Sequence, residues 1–152
     1  MTGEGLSGRM DGSTHIYPVR VFFEDTDAGG VVYHASYLRF AERARTEMMR
    51  LLGVDHTRLI EREGVVFAVR RVEMDYLRPA RLDDLLEVRT RVLEVHGASI
   101  IAEQTVRRDG DDIARGVLRL ALIRRDGRPG RLPPALRQAL DVETSTRKAT
   151  SA

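Results

Sequence analysis

Apolar residues recur along this chain with two different periods, and the change of period divides it into elements. An aromatic and β-branched run from Ile16 to Glu24, opening on Tyr17-Pro18, predicts a first strand. A glycine-bearing loop, Asp25 to Gly30, follows it. Apolar positions then fall at Tyr37, Phe40, Ala41, Ala44, Met48, Leu51 and Leu52, which is one face of a long helix. Arg39, Glu42, Arg43, Glu47 and Arg50 take the other positions, with Arg43 and Glu47 spaced for an i,i+4 pair. Gly53 is placed to end the helix in a left-handed cap. Asp55 to Glu63 predicts a further turn or two of helix, after which the period drops to two. Phe67 and Val69 share one phase, whereas Val72, Met74 and Tyr76 share the other, so this strand needs a bulge near Arg70–Arg71. Three more strands are predicted over Leu85 to Val95, Ile100 to Arg107 and Ile113 to Ile123. The last sets Ala114, Gly116, Leu118, Leu120 and Leu122 against Arg115 and Arg119. His96-Gly97-Ala98 and Asp109-Gly110-Asp111 supply turns of hairpin length, and Pro133-Pro134 can start a short terminal helix.

Strands joined by tight turns must be antiparallel, because a parallel crossover needs a dozen or more residues. The predicted fold class is therefore α+β, one antiparallel sheet curled over one long helix. Such a sheet leaves edges, and the helix carries polar positions that the sheet cannot cover, so a homodimer or homotetramer is expected. Residues 1–14 and 141–152 are rich in Gly, Ser and Thr and read as flexible tails around a single domain over 15–140.

Composition narrows the chemistry. The 152 residues are 42% hydrophobic and 32% charged, which suits one globular domain with a core. The absence of cysteine excludes disulfides, thiolate nucleophiles and cysteine-type zinc sites. No apolar run approaches the ~20 residues of a membrane helix, and Met1 to Ser13 lacks the apolar core of a signal peptide. A cytoplasmic location without membrane insertion is the expectation. Lys148 is the sole lysine, so the cations are nearly all arginine, whose planar fork suits phosphates. They are scattered along the chain and form no recognised nucleic-acid module, so no nucleic acid is expected.

The segment from Glu24 to Tyr37 carries the candidate chemistry. It places Asp25 and Asp27, then Gly29-Gly30, then His34 just before the long helix. Glycines let a backbone approach a ligand closely. A helix start offers unpaired N–H groups and a positive dipole end, which suit a developing oxyanion. A carboxylate a few residues earlier can fold back to the same point as nucleophile or general base. Together these parts point to acyl transfer.

The run D-T-D-A-G-G-V-V-Y-H-A-S-Y, followed by E-R-A-R-T-E-M, strongly resembles the 4-hydroxybenzoyl-CoA thioesterase-like hotdog family. Within it, the likeness is greatest to the YbgC-type acyl-CoA thioesterases associated with the Tol–Pal system. The similarity continues through V-R-R-V-E-M-D-Y and R-P-A-R-L-D-D-L-L and spans roughly Pro18 to Ile123. It implies a hotdog fold and hydrolysis of an acyl-CoA thioester without a metal or bound cofactor. Asp27 would be the catalytic carboxylate, attacking the thioester or activating water. His34 would direct its backbone N–H at the thioester oxygen, with its ring assisting, and Asp25 would serve the loop's own hydrogen bonding. Gly30 and Tyr33 on the loop, and Val69, Arg70 and Arg71 along the pantetheine strand, are the substrate-binding candidates. Ser99 joins them beside the turn that holds CoA phosphates in the family. That turn, His96 to Ser99, has no arginine or lysine here, so Arg70, Arg71, Arg91, Arg107 and Arg108 are the replacements to consider. The acyl pocket is expected to be shared between subunits.

Two other readings compete. The superfamily also has a layout with the catalytic carboxylate on the long helix, for which Glu42 and Glu47 are candidates, though both read as salt-bridging residues on a polar face. A scaffold protein of the same fold could instead act by contact, with acyl carrier protein or cell-envelope machinery.

Overall fold

The computed structural model describes residues 5–140 of the chain. Six strands form one antiparallel sheet in the order β1-β2-β4-β5-β6-β3. They are β1 (Arg9–Asp11), β2 (Thr14–Arg20), β3 (Val65–Tyr76), β4 (Leu85–Val95), β5 (Ser99–Arg108) and β6 (Asp111–Arg124). Helix α1 (His34–Leu51) packs against β2 and β4 and lies between β2 and β3 in sequence. A short α2 (His56–Arg58) runs into a wider turn over Leu59–Glu63, capped where the Asp55 carboxylate accepts N–H bonds from Thr57 and Arg58. The predicted α+β hotdog arrangement is what the chain adopts.

Local signals account for most of these boundaries. Gly53 follows α1 at φ +81°, the left-handed conformation that ends a helix without a Cβ clash. Asp109 and Gly110 both have positive φ, at 51° and 84°, and close the β5–β6 hairpin. In β3 the pairing with β6 shifts between Val69 and Arg71, leaving Arg70 as the extra residue of the bulge. The terminal helix begins at residue 134, and Leu132, Leu136 and Leu140 close the core beneath it.

Two expectations change. The first strand ends at Arg20, because Phe23–Asp25 tightens into a single helical turn around the buried Asp25. Residues 9–14 are also no tail. Arg9–Asp11 pairs with Thr14–Ile16 as an edge hairpin, locked where the Ser7 hydroxyl donates to Glu47 of α1 at 2.7 Å. The C-terminal tail expected over 141–152 lies outside the described residues.

The core divides in two. Tyr37, Phe40 and Ala44 pack with Leu86, Val88, Val106 and Ile113, whereas Met48 and Met49 pack with Val92, Ile100, Leu122 and Leu136. A row of facing residues crosses the sheet between the clusters: His15, Thr90, Gln104, Gly116 and Met74, on β2, β4, β5, β6 and β3. Three of these are buried and polar, which is tolerable only with hydrogen bonds. Gln104 donates to the Ala41 carbonyl and to Thr90 Oγ1, both at 2.9 Å, and accepts from Arg45 of α1 at 2.9 Å. Gly116 is the row's narrow point, since a Cβ there would lie 3.0 Å from the Glu73 carbonyl oxygen.

Candidate active site

The loop after the Phe23–Asp25 turn is built from its own backbone. The Asp27 N–H donates to Val31 O at 2.9 Å, and Gly30 N–H returns to Asp27 O at 3.0 Å. The Asp27 carboxylate accepts from Gly29 N–H at 2.8 Å and Val31 N–H at 3.4 Å, both through Oδ1. Oδ2 takes no protein hydrogen bond among the described residues, and the side chain is exposed. Gly30 sits at φ +80° and Gly29 leaves only 3.2 Å to Asp27 Oδ1 for a Cβ, so side chains there would strain or crowd the carboxylate. Asp25 plays the bonding role expected of it: its buried carboxylate accepts the Phe22 N–H at 2.8 Å, and its carbonyl accepts from Tyr33.

A second loop, residues 77–84, fixes this one from outside. Val32 N–H donates to Ala80 O at 2.8 Å, and Val31 bridges to Arg81. Arg108 holds that second loop through Pro79 O at 3.0 Å and Asp84 Oδ2 at 2.8 Å. Burial acts to raise the Asp84 pKa, but the Arg81 N–H and the Arg108 guanidinium outweigh it and hold the carboxyl below its usual range.

His34 is the first residue of α1, and Tyr33 caps the helix without any side-chain hydrogen bond. No capping side chain consumes the N–H groups of His34 and Ala35, whereas the Ser36 N–H donates to the Tyr33 carbonyl at 2.8 Å. Three rings surround this end: Tyr33 lies 4.4 Å from the His34 ring, Tyr76 6.3 Å from it edge-on, and Tyr37 5.5 Å from Tyr76. The Tyr76 hydroxyl donates to the His34 carbonyl at 3.0 Å. Pattern reading assigned Tyr76 only a strand phase; its role depends on where β3 ends in space.

Asp27, Gly30, Tyr33 and His34 thus gather at one end of α1. Val69, Arg70 and Arg71 do not join them in the same chain. Six residues of β3 lie between Val69 and Tyr76, about 20 Å of extended strand. Ser99 is farther still, at the start of β5 opposite Ala121. Four of the five candidate phosphate arginines are engaged, Arg71 with Glu73, Arg91 with Glu103, Arg107 with Asp112 and Arg108 with Asp84. Arg70 alone of the five has no ion pair among the described residues.

Val69 instead stands at a cavity of about 450 Å³ beneath the C-terminal half of α1. Its wall is mostly apolar, with Glu42, Arg45, Thr46 and His56 as polar members. Glu47 is a salt-bridging residue as expected, but its partner is Arg50 at 2.5 Å rather than Arg43. Glu42 departs from expectation, having no ion pair within 4 Å among the described residues.

The family model described as the thioesterase-like superfamily matches residues 21–140. A Haemophilus influenzae protein named acyl-CoA thioesterase YbgC is 48% identical over 107 residues, 70% of this chain and 79% of that protein. An Escherichia coli protein named acyl-CoA thioester hydrolase YbgC is 51% identical over 90 residues, 59% of this chain and 66% of that one. Among solved structures, a probable thioesterase from Bartonella henselae superposes with a TM-score of 0.77 at 40% identity, covering 79% of this chain and 99% of its own. A 1,4-dihydroxy-2-naphthoyl-CoA thioesterase from Synechocystis shares the fold, with a TM-score of 0.78 at 19% identity, covering 84% and 96% of the two chains.

Proposed function

The chain belongs to the thioesterase-like superfamily, and from that premise we propose that it hydrolyses an acyl-CoA thioester to the free acid and CoA. The observation that carries this reading is the exposed Asp27 carboxylate on a loop that feeds directly into the uncapped start of α1 at His34. The thioester oxygen would sit on the N–H groups of His34 and Ala35, where the helix dipole favours the negative charge of a tetrahedral intermediate. Asp27 would attack the carbonyl carbon through Oδ2 or take a proton from an attacking water through the same atom. Neither route calls for a bound metal or cofactor, so dialysis against a chelator is expected to leave turnover unchanged.

The stretch of β3 between the bulge and Tyr76, which bonds His34, supports a shared site, in which a second copy supplies Val69–Arg71 and its cavity. Arg70, bulged and without an ion pair among the described residues, is the residue we assign to the CoA phosphates; Gly30 and Tyr33 would line the thioester end. Ser99 is retained only as a residue near that phosphate path. We place the enzyme in the cytoplasm, acting on soluble CoA esters; the described residues contain no helix long and apolar enough to cross a membrane. An acyl carrier protein would suit the arginine-rich surface as an alternative thioester donor.

One observation favours a second arrangement: Glu42 is exposed, without an ion pair, and lies at the cavity. The deciding experiment assays Asp27→Asn and Glu42→Gln on a panel of acyl-CoAs by release of free thiol. Asp27→Asn is expected to lose about a thousandfold in kcat, the order of a missing nucleophile or base, while Glu42→Gln retains most of it. The reverse pattern would move the catalytic carboxylate to the helix. Label from isotopic water entering the Asp27 carboxylate in a single turnover distinguishes attack from water activation.

A further inference from the structure

The cavity under α1 is lined by Met48, Met49, Leu59, Phe67, Val92 and Leu120, and into that apolar wall the helix projects one cation, Arg45. Arg45 is half-buried and its orientation is set by the sheet. Its NH1 donates to Gln104 Oε1 at 2.9 Å, and Gln104 cannot turn, because its amide nitrogen is spent on the Ala41 carbonyl and Thr90 Oγ1. Among the described residues Arg45 makes no other hydrogen bond and has no carboxylate within 4 Å. Burial pushes its pKa down, and Glu42, exposed at the same cavity, opposes that only at a distance. His56 adds no competing charge near neutral pH, because burial and then Arg50 hold its pKa below the usual histidine value. A half-enclosed guanidinium whose one partner is a neutral amide is costly to keep, and a carboxylate matches its fork in both charge and shape.

We propose that this cavity takes acyl chains ending in a second carboxylate, with Arg45 as the residue that selects them. The proposal rests on the thioesterase reading and makes the cavity its acyl pocket. The apolar wall would hold the methylene chain, and Arg45 would pair with the far carboxylate.

The test compares adipyl-CoA, hexanoyl-CoA and 6-hydroxyhexanoyl-CoA on the full-length protein, alongside Arg45→Met and Gln104→Glu. The second variant hands Arg45 an internal carboxylate and serves if the first does not fold. Wild type is expected to favour adipyl over hexanoyl by about tenfold or more in kcat/KM, the size of a charge-assisted hydrogen bond. Either variant is expected to abolish that preference. A wild type that prefers hexanoyl-CoA, one that treats the neutral hydroxyl chain as well as the carboxylate, or a ratio unmoved in both variants overturns the proposal. Calorimetry with free adipate and free hexanoate separates this failure from that of the thioesterase reading. If no CoA ester is cleaved, adipate binding that disappears in the variants still upholds the anion-binding cavity, and adipate binding no tighter than hexanoate sinks it.

Discussion

His15 shows what a single buried position contributes. Its side chain is fully enclosed on β2, its Nε2 lies 2.7 Å from the Ser7 carbonyl, and its Nδ1 has no partner among the described residues. Tyr17 stacks beside it, Thr90 faces it across the β2–β4 ladder, and Glu47 of α1 is the nearby charge. Burial lowers its pKa more than the Ser7 bond and Glu47 raise it. A histidine depressed in the folded state takes up its proton first in the unfolded chain, so the folded state is penalised as pH falls. Its full contribution is present above about pH 6.5, the ordinary histidine value, and is lost on acidification below it. The expected outcome is a Tm that drops between pH 7.5 and 5.5 in wild type, with a shallower slope in His15→Gln. Superimposable slopes would show that His15 is not the group responsible.

Among the elements, the end of β3 matters most to the site. Tyr76 is the last residue of that strand, and its hydroxyl pins the carbonyl of the first residue of α1. Tyr76→Phe keeps the ring and removes the bond, so overall stability should change by only about 1 kcal/mol. The helix start would then be less firmly oriented towards the thioester oxygen. A several-fold fall in kcat with KM nearly unchanged is expected; a rise in KM alone would instead make Tyr76 a binding contact. The loop over 77–84 works alongside it, because Arg108 and Asp84 hold the carbonyl of Ala80 where Val32 can reach it.

For the whole molecule, the decisive fact is that the helix start at His34 meets the end of β3 at Tyr76, whereas the Val69–Arg71 bulge lies in the middle of that strand. β3 is also an edge of the sheet, with Val66, Val69 and Tyr76 exposed along it, and such an edge invites pairing with a second chain. Light scattering is expected to give a mass of at least two chains at micromolar concentration. Val69→Glu should shift that mass towards the monomer and lower turnover with it. A wild-type monomer with full activity would place the complete site within one chain.

Much of this protein was legible in its residues because the relevant physics is local. The stripe from Tyr37 to Leu52 specified α1, the positive-φ sites at Gly53 and Asp109-Gly110 specified where chains turn, and the phase change across Arg70 specified the bulge. The placing of Asp27 beside the helix start at His34 was likewise readable, since loop and helix start are consecutive in the chain. What only the folded chain decided depends on partners distant in sequence. The β1 hairpin is held by Ser7 on Glu47, forty residues away. Glu42 is left without an ion pair among the described residues, and Arg108 is committed to the loop over 77–84. Arg45 interrupts the apolar face of α1, and Gln104 and Thr90 interrupt the inward faces of their strands. Those three interruptions are visible as a pattern, but their common meaning is not. Only the stacking of helix on sheet joins them into one polar row and sets a cation against an otherwise apolar cavity, because periodicity fixes which way a side chain points and tertiary packing fixes what it meets.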